Sequence, residues 1–354
     1  MIFKRMFWVC FRKKNIQVLL ILVILLVTVY NIYLLGNSQI FDKSQKHLIM
    51  CHFQDKHEES LPELISSEVT ENSIYFFETS CNHEKGIQLN LRQGCAIESA
   101  AFLNPDSKIF VLFLSPNFVD HKSHVIDTLS SYKNVNFRYI NLRSYANNTP
   151  LQNFITSKTI FTSNWPVSHT SDLLRFLTLW KFGGTYLDLD VVLMKSFNSM
   201  SNFVAVESET AIASLVLNFS TDKLGKLIAN LTVNDYANNY RGNDWGYNGP
   251  GVITRALQKI CNTENISEMT KDKCQGFTVY DQDTFCPVSW KDWYSYFNSN
   301  TSAEVMKKIN NSIGIHVWNN HSKNTVVKVG STQPYGLIAQ KYCPNVFSLA
   351  KIEF

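Results

Sequence analysis

The stretch "KIFVLFLSPNFVDHKSHVIDTLSSYKNVNFRYINL", Lys108 to Leu142, holds an apolar run, a polar break, a helical pattern and a second apolar run. "KIFVLFL" (Lys108 to Leu114) reads as a buried strand, "HVIDTLSSY" (His124 to Tyr132) as a helix and "VNFRYINL" (Val135 to Leu142) as a strand. Upstream, "SIYFFET" (Ser73 to Thr79) is another strand, and "GCAIESAAFL" (Gly94 to Leu103) is a helix stopped by Asn104-Pro105. Strand, helix, strand, helix, strand at this spacing predicts βαβ units, hence an α/β domain with a parallel sheet and helices on its faces. Ligands of such sheets sit outside the carboxyl ends of the strands.

Downstream, "SDLLRFLTLWKF" predicts a helix capped by Ser171, with Asp172 in its first turn and Gly183 closing it. Arg175 lies on the face of Asp172, either as an intrahelical ion pair or as a cation offered to an anionic ligand. Next comes "FGGTYLDLDVVLMKSF" (Phe182 to Phe197), which reads as one buried strand with two acids set into it. A strand's period of two sends Asp188 and Asp190 to one face, and buried anions are costly unless a positive charge meets them. The pair wants a cation. "GIHVW" (Gly314 to Trp318) reads as a short alternating strand with His316 opposite Ile315 and Val317, and on residues alone His316 is either structural or a ligand. "DWGYNGPGVITR" carries a Gly-Pro-Gly turn among polar and aromatic side chains before a helix expected near Val252.

The chain has 354 residues, 45% hydrophobic content and a formal net charge of +4, which allows one large or two modest domains. No basic block with interleaved aromatics follows the extreme N-terminus, so no nucleic-acid partner is expected. Ile16 to Leu35, "IQVLLILVILLVTVYNIYLL", has the length and apolarity of a membrane-crossing helix. Lys4, Arg5, Arg12, Lys13 and Lys14 precede it and keep the tail cytosolic. A cleaved signal peptide would have a shorter apolar run and a small-residue cleavage site. The expected organisation is a cytosolic tail (1–15), a transmembrane signal-anchor (16–35), a polar stem (36–71) and a lumenal catalytic domain (72–354).

Sequons at Asn147, Asn218, Asn230, Asn265, Asn300, Asn310 and Asn320 suit a lumenal body. So do Cys51, Cys81, Cys95, Cys261, Cys274, Cys286 and Cys343, whose spacings match no zinc pattern and which read as disulfide-formers. Cys81 with Cys95 and Cys261 with Cys274 are the short-range pairings expected. An odd number leaves one over, and Cys51, in the stem, is the candidate for an unpaired thiol or a covalent dimer.

The run "SDLLRFLTLWKFGGTYLDLD" (Ser171 to Asp190) resembles the α-1,4-glycosyltransferases with a DXD sugar-binding motif, in particular the lactosylceramide 4-α-galactosyltransferase-like enzymes. "FFETS" (Phe76 to Ser80), "RQGCAIESAA" (Arg92 to Ala101), "WGYNGPGVITR" (Trp245 to Arg255), "FCPVSWKDW" (Phe285 to Trp293) and "HVWN" (His316 to Asn319) agree in the family's order. The resemblance implies a Rossmann-like nucleotide-sugar transferase domain of the GT-A type, retention at the transferred sugar, and a single-pass type II Golgi protein. It implies a UDP-sugar donor, a glycolipid or glycan acceptor, and Mn²⁺ or Mg²⁺ held by Asp188, Asp190 and His316. Donor binding falls to Thr79, Asp172, Arg175, Tyr186 and Asp188, catalysis to Asp188, Asp190 and Asp244, and the acceptor side to Trp245 and Asn248. The chain has Tyr247-Asn248 where the vertebrate-like pattern has His-Gln, which leaves the sugar open between galactose and an N-acetylhexosamine. A catalytically inactive, membrane-anchored sugar-binding protein of the same fold is the alternative. A hydrolase pair would stand across a substrate rather than two residues apart.

Overall fold

The computed structural model describes residues 23–31, 47–83, 85–119 and 123–354. The chain divides into two units, Met1–His47 and Leu48–Phe354. In the first, residues 23–31 form a helix with exposed side chains; the expected tail and the rest of the expected span lie outside the described residues. Among the described residues no helix is long and apolar enough to cross a membrane.

The second unit is a mixed α/β body. Strand β1 (Ile74–Glu78) leads to helix α1 (Leu91–Leu103), β2 (Ile109–Phe113), a short helix at His124–Ser130 and β3 (Val135–Tyr139). Helix α2 (Pro166–Phe182) precedes β4 (Gly184–Leu187), and β5 (Val191–Leu193), β6 (Phe203–Ser208) and β7 (Ala211–Phe219) follow. Helices α3 (Lys223–Asn239) and α4 (Pro250–Cys261), strands β8 (Thr278–Tyr280) and β9 (Gly314–His316), and helix α5 (Pro334–Tyr342) complete the chain. Seven strands form one sheet in the order β3-β2-β1-β4-β7-β6-β8. The first four run parallel, with Ile74 opposite both Ile109 and Thr185. β1, β2 and β4 are buried at every position, as continuous apolar strands between two layers must be. One face packs Ile97, Ile126 and Ile338; the other packs Leu173, Leu177, Ile228 and Val252. The βαβ expectation therefore holds for the parallel half, while β7 and β6 add an antiparallel half.

Several expectations are corrected. Phe182 to Phe197 is not one strand: β4 ends at Leu187, the backbone turns with Val191 N–H donating to Asp188 O at 3.1 Å, and β5 joins a separate ribbon with β9. A sheet covered on both faces has no room for two carboxylates, so the chain leaves it at the first acid. Helix α2 starts at Pro166, whose fixed φ suits the first helical position, and Ser171 and Asp172 are consequently mid-helix rather than at a cap. Gly183 closes that helix with φ +67°, and at Gly184 (φ +93°) a methyl would collide with Ser73 O.

The folded body also begins earlier than residue 72. His47–Phe53 is a helical turn that buries Ile49, Cys51 and His52. Cys51 pairs with Cys81 and Cys95 with Cys343, while the expected Cys261–Cys274 bridge is present. Among the described residues the free cysteine is Cys286, which is buried, and Cys51 has no thiol for a covalent dimer. Asn218 sits within β7, its amide donating to Thr185 Oγ1 at 2.8 Å and accepting from Asn202 N–H at 2.8 Å, which leaves this sequon no free side chain for a glycan.

Candidate active site

The turn after β4 lies at the carboxyl end of the parallel strands, where Asp188 and Asp190 project. The β5–β9 ribbon pairs Val191 with His316, and this register carries the histidine across 126 residues to the acids. One ligand atom from each of Asp188, Asp190 and His316 lies within 4.8 Å of the others. His316 Nε2 is 3.0 Å from Asp190 Oδ1, and the Asn319 N–H donates to Asp190 Oδ2 at 2.7 Å. Burial opposes both charges. For Asp190, His316 and the Asn319 N–H outweigh it and hold the carboxyl below its usual range. For His316, the charges of Asp190, Asp188 and Glu207 outweigh it and raise the imidazole. Nδ1 of His316 is buried without a hydrogen-bond partner. Two carboxylates, one imidazole and an orphaned ring nitrogen fit a divalent cation of the Mn²⁺ or Mg²⁺ kind.

Asp188 is supported from below. The Tyr186 hydroxyl donates to Asp188 Oδ1, and Arg175 Nη2 lies 3.3 Å from the same oxygen and 3.1 Å from Asp172 Oδ1. The guanidinium also donates from Nη1 to Ser214 O at 2.6 Å and Ser214 Oγ at 3.0 Å. Its Nε–H meets Ser171 O and its Nη2 meets Ser171 Oγ. It stacks 4.4 Å from the Tyr186 ring centroid. Every donor of the fork is engaged inside the protein, so Arg175 is a positioning residue beneath the acids and has no free N–H for a phosphate. Burial alone would lower its pKa, but Tyr186, Asp188 and Asp172 drive it up and keep it cationic. Asp172 is pushed up to about 6, because burial outweighs the help it receives from Arg175.

Thr79 stands just after β1. Its hydroxyl donates to Val167 O in the first turn of α2 at 3.0 Å, and its carbonyl accepts from His52 Nε2 at 2.7 Å. Burial drives His52 down to about 4, which keeps it neutral at this contact. The Gly-Pro-Gly loop places its residues unequally. Asp244 and Trp245 are exposed, Trp245 meeting Trp165 edge-on with ring centroids 5.5 Å apart. Asn248 is buried, accepting from Arg241 N–H at 2.9 Å and donating to Arg241 O at 2.7 Å. It pins the base of the loop instead of facing an acceptor. Tyr247 is sandwiched between Arg241 and Arg255, at 3.9 and 4.0 Å from its ring. A methyl at Gly249 would strike Asp172 Oδ1, so the loop packs directly on the floor of the site.

Three participants carry no signal in the sequence. Ser214 and the Asn319 N–H contribute through partners fixed only by the fold. Glu207, near the carboxyl end of β6, is raised by burial, with His316 opposing and Asp188 adding to the shift. Among the described residues its carboxylate makes no hydrogen bond, and in "VESET" it stands two residues from Glu209, outside the segments that carry the resemblance.

Two family profiles match the chain. A glycosyltransferase sugar-binding region containing the DXD motif covers residues 91–206, and the α-1,4-glycosyltransferase conserved region covers 221–350. The mouse lactosylceramide 4-alpha-galactosyltransferase (Mus musculus) is 28% identical over 297 residues, 83% of this chain and 80% of its own length. The Homo sapiens enzyme of that name is 28% identical over 80% of this chain and 78% of its own. A Homo sapiens alpha-1,4-N-acetylglucosaminyltransferase is 25% identical over 77% and 79%. Among solved structures, PaToxG glycosyltransferase aligns at 18% identity over 78% of this chain and 92% of its own with a TM-score of 0.38, too loose a likeness to carry the fold. Asp188 and Asp190 fall in the first matched region and His316 in the second, so the two profiles between them take in the whole cluster, and over this stretch the chain is similar to the α-1,4-glycosyltransferases with a DXD sugar-binding region.

Proposed function

We propose that the protein is a retaining α-1,4-glycosyltransferase moving galactose or an N-acetylhexosamine from a UDP-sugar to a glycolipid or other glycan acceptor. It works as a single-pass type II protein of the Golgi membrane, its body lumenal. The observation that carries the reading is the convergence of Asp188, Asp190 and His316 at the carboxyl end of β4, over a floor in which Arg175 and Tyr186 hold Asp188. Asp188, Asp190 and His316 would hold a divalent cation, which when bound supplies Lewis-acid neutralisation of the charge growing on the departing diphosphate.

The chain's own groups do the positioning. Arg175 and Tyr186 fix the orientation of Asp188, and the Asn319 N–H fixes that of Asp190. Thr79 and its tie to α2 set the end of β1 against which the donor lies. The acceptor hydroxyl attacks the anomeric carbon from the side on which the diphosphate leaves, and its proton passes to the departing phosphate oxygen. No protein nucleophile is needed for that step. Asp244 is the fallback carboxylate for a double displacement, and Glu207 is a second one, in the field of Asp188 and His316.

The test is turnover of the full chain in detergent with UDP-galactose and UDP-N-acetylhexosamines against a panel of β-galactosides, with the product's anomeric configuration read by NMR. An α-1,4 product supports the proposal. A β product removes retention, and UDP-sugar binding without turnover on any acceptor leaves the inactive sugar-binding reading.

A further inference from the structure

An exposed aromatic shelf lies beside the cluster of acids and is used by none of the contacts above. Trp290 is 45% and Tyr294 54% exposed. Trp290 stacks on the exposed His321 ring with centroids 6.0 Å apart and an interplanar angle of 22°, and the Lys291 ammonium is 5.7 Å from the Trp290 ring. Large flat side chains held open to solvent, one of them with an ammonium over its ring, mark a contact surface rather than a packing remnant.

Two ties connect this shelf to the reacting centre. The Trp318 indole N–H donates to Val288 O at 2.8 Å, fixing the Trp290 loop against the residue whose ring lies 4.1 Å from that of His316. The Asn319 N–H that holds Asp190 opens the helical turn Asn319–Ser322, and His321 is two residues further on. The strand end that presents the acids' imidazole therefore also presents one half of the stack. Trp290 and His321 belong to segments about 30 residues apart in sequence, so their parallel stacking is a feature of the fold and not of local chain geometry.

We propose that Trp290, backed by His321, is a specificity-determining platform that takes the apolar face of a pyranose ring of the acceptor. This rests on the glycosyltransferase reading above. A pyranose presents a face of C–H groups that packs on an indole, while its rim of hydroxyls can accept from the Lys291 ammonium. The exposed Trp245 belongs to a different loop and meets Trp165 edge-on. The shelf therefore adds a second aromatic contact, suited to an acceptor at least two sugars long.

The experiment uses the full chain in detergent with a saturating UDP-sugar, octyl β-lactoside as the longer probe and octyl β-galactoside as the shorter one. Trp290→Ala should raise the KM for the lactoside on the order of tenfold, the effect of truncating an aromatic anchor. The KM for the UDP-sugar, read in parallel, should move far less, and Trp290→Phe should recover most of the loss. The preference for the lactoside over the galactoside should shrink in the Ala variant. If both KM values rise together, or the Phe variant is no better than Ala, Trp290 is structural and the proposal falls. An unchanged lactoside KM overturns it too, and if vesicle binding by the full chain drops instead, the shelf is a membrane contact. Absence of any turnover by the wild-type chain is a separate result, which defeats the glycosyltransferase reading itself.

Discussion

The floor of the site and its rim are built to opposite rules. Beneath Asp188, Arg175 spends all its donors on Ser171, Ser214, Asp172 and Asp188, and the surrounding groups are buried. At the rim, Asp244 and Trp245 reach into solvent, as does Trp290 on the loop that Trp318 ties to His316. A preorganised floor stabilises charge in a fixed place, whatever the acceptor. An exposed rim on loops tolerates change, and that is where specificity among related transferases can vary without disturbing the reaction.

The floor should be the more fragile region. Arg175→Met removes the cation from two carboxylates in a buried setting, and the expected loss of unfolding free energy is about 3–5 kcal/mol. Arg175→Lys should recover part of it, because charge returns without the fork. Denaturant unfolding of the three proteins measures this. A Met variant as stable as wild type would mean that the floor is not under electrostatic constraint.

Asp190→Asn should follow in size. It keeps the shape of the turn but weakens the cation site, and turnover should fall on the order of 100- to 1000-fold with little change in the unfolding midpoint. Mn²⁺ binding measured by calorimetry should weaken in the same variant, and in His316→Ala by about 10- to 100-fold. Full activity in excess chelator would remove metal assistance from the proposal.

Acid should destabilise the body through two buried histidines. His52, against the end of β1, and His169, buried on α2 with its Nδ1 2.7 Å from Ser163 Oγ, are driven from 6.5 to about 4, chiefly by burial. Below pH 6.5 the unfolded chain takes up protons that the folded histidines refuse, so their contribution is present above 6.5 and is lost as pH falls towards 4, about 3 kcal/mol for each. Asp172 has the opposite sign: its value raised to about 6 favours the fold below pH 3.8 and loses that contribution as pH rises through 6, which offsets about one histidine. The net expectation is about 3–4 kcal/mol less stability at pH 4 than at pH 7. Unfolding midpoints across that range test it, and a flat profile would contradict the buried neutral histidines.

The two regions were also unequally legible in sequence. The spacing of apolar runs from Ser73 to Leu142 announces the parallel half, because a strand covered on both faces must be apolar throughout. The antiparallel half is not announced: β6 and β7 meet through "SETA", with neither the Gly nor the Asn that marks a tight hairpin. Asp188, Asp190 and His316 were readable as residue types, but the turn that converges them depends on the pairing of Val191 with His316. The N-cap at Ser171 failed because a capping residue is also an ordinary mid-helix polar residue, and Pro166 was the better mark of the start. Cys261–Cys274 closes a short loop and was found, whereas Cys95–Cys343 spans 248 residues and only the packed fold brings its ends together.

The smallest expected effect lies at Asp244, and it separates the two routes to retention. Its side chain is exposed and makes no hydrogen bond among the described residues, so Asp244→Asn should shift unfolding by no more than about 0.5 kcal/mol. If attack comes from the leaving-group side, no carboxylate needs to meet the anomeric carbon, and turnover should fall only a few-fold. A collapse comparable to that of Asp190→Asn would make Asp244 a nucleophile. Adding azide to Asp244→Ala should then restore sugar release as a β-glycosyl azide, since the small anion occupies the face the carboxylate left. Glu207→Gln and Glu207→Ala carry the same two readouts for the carboxylate nearer in charge to Asp188 and His316. Azide rescue at either position replaces front-face attack with double displacement, and its absence at both leaves the departing phosphate as the acceptor of the proton.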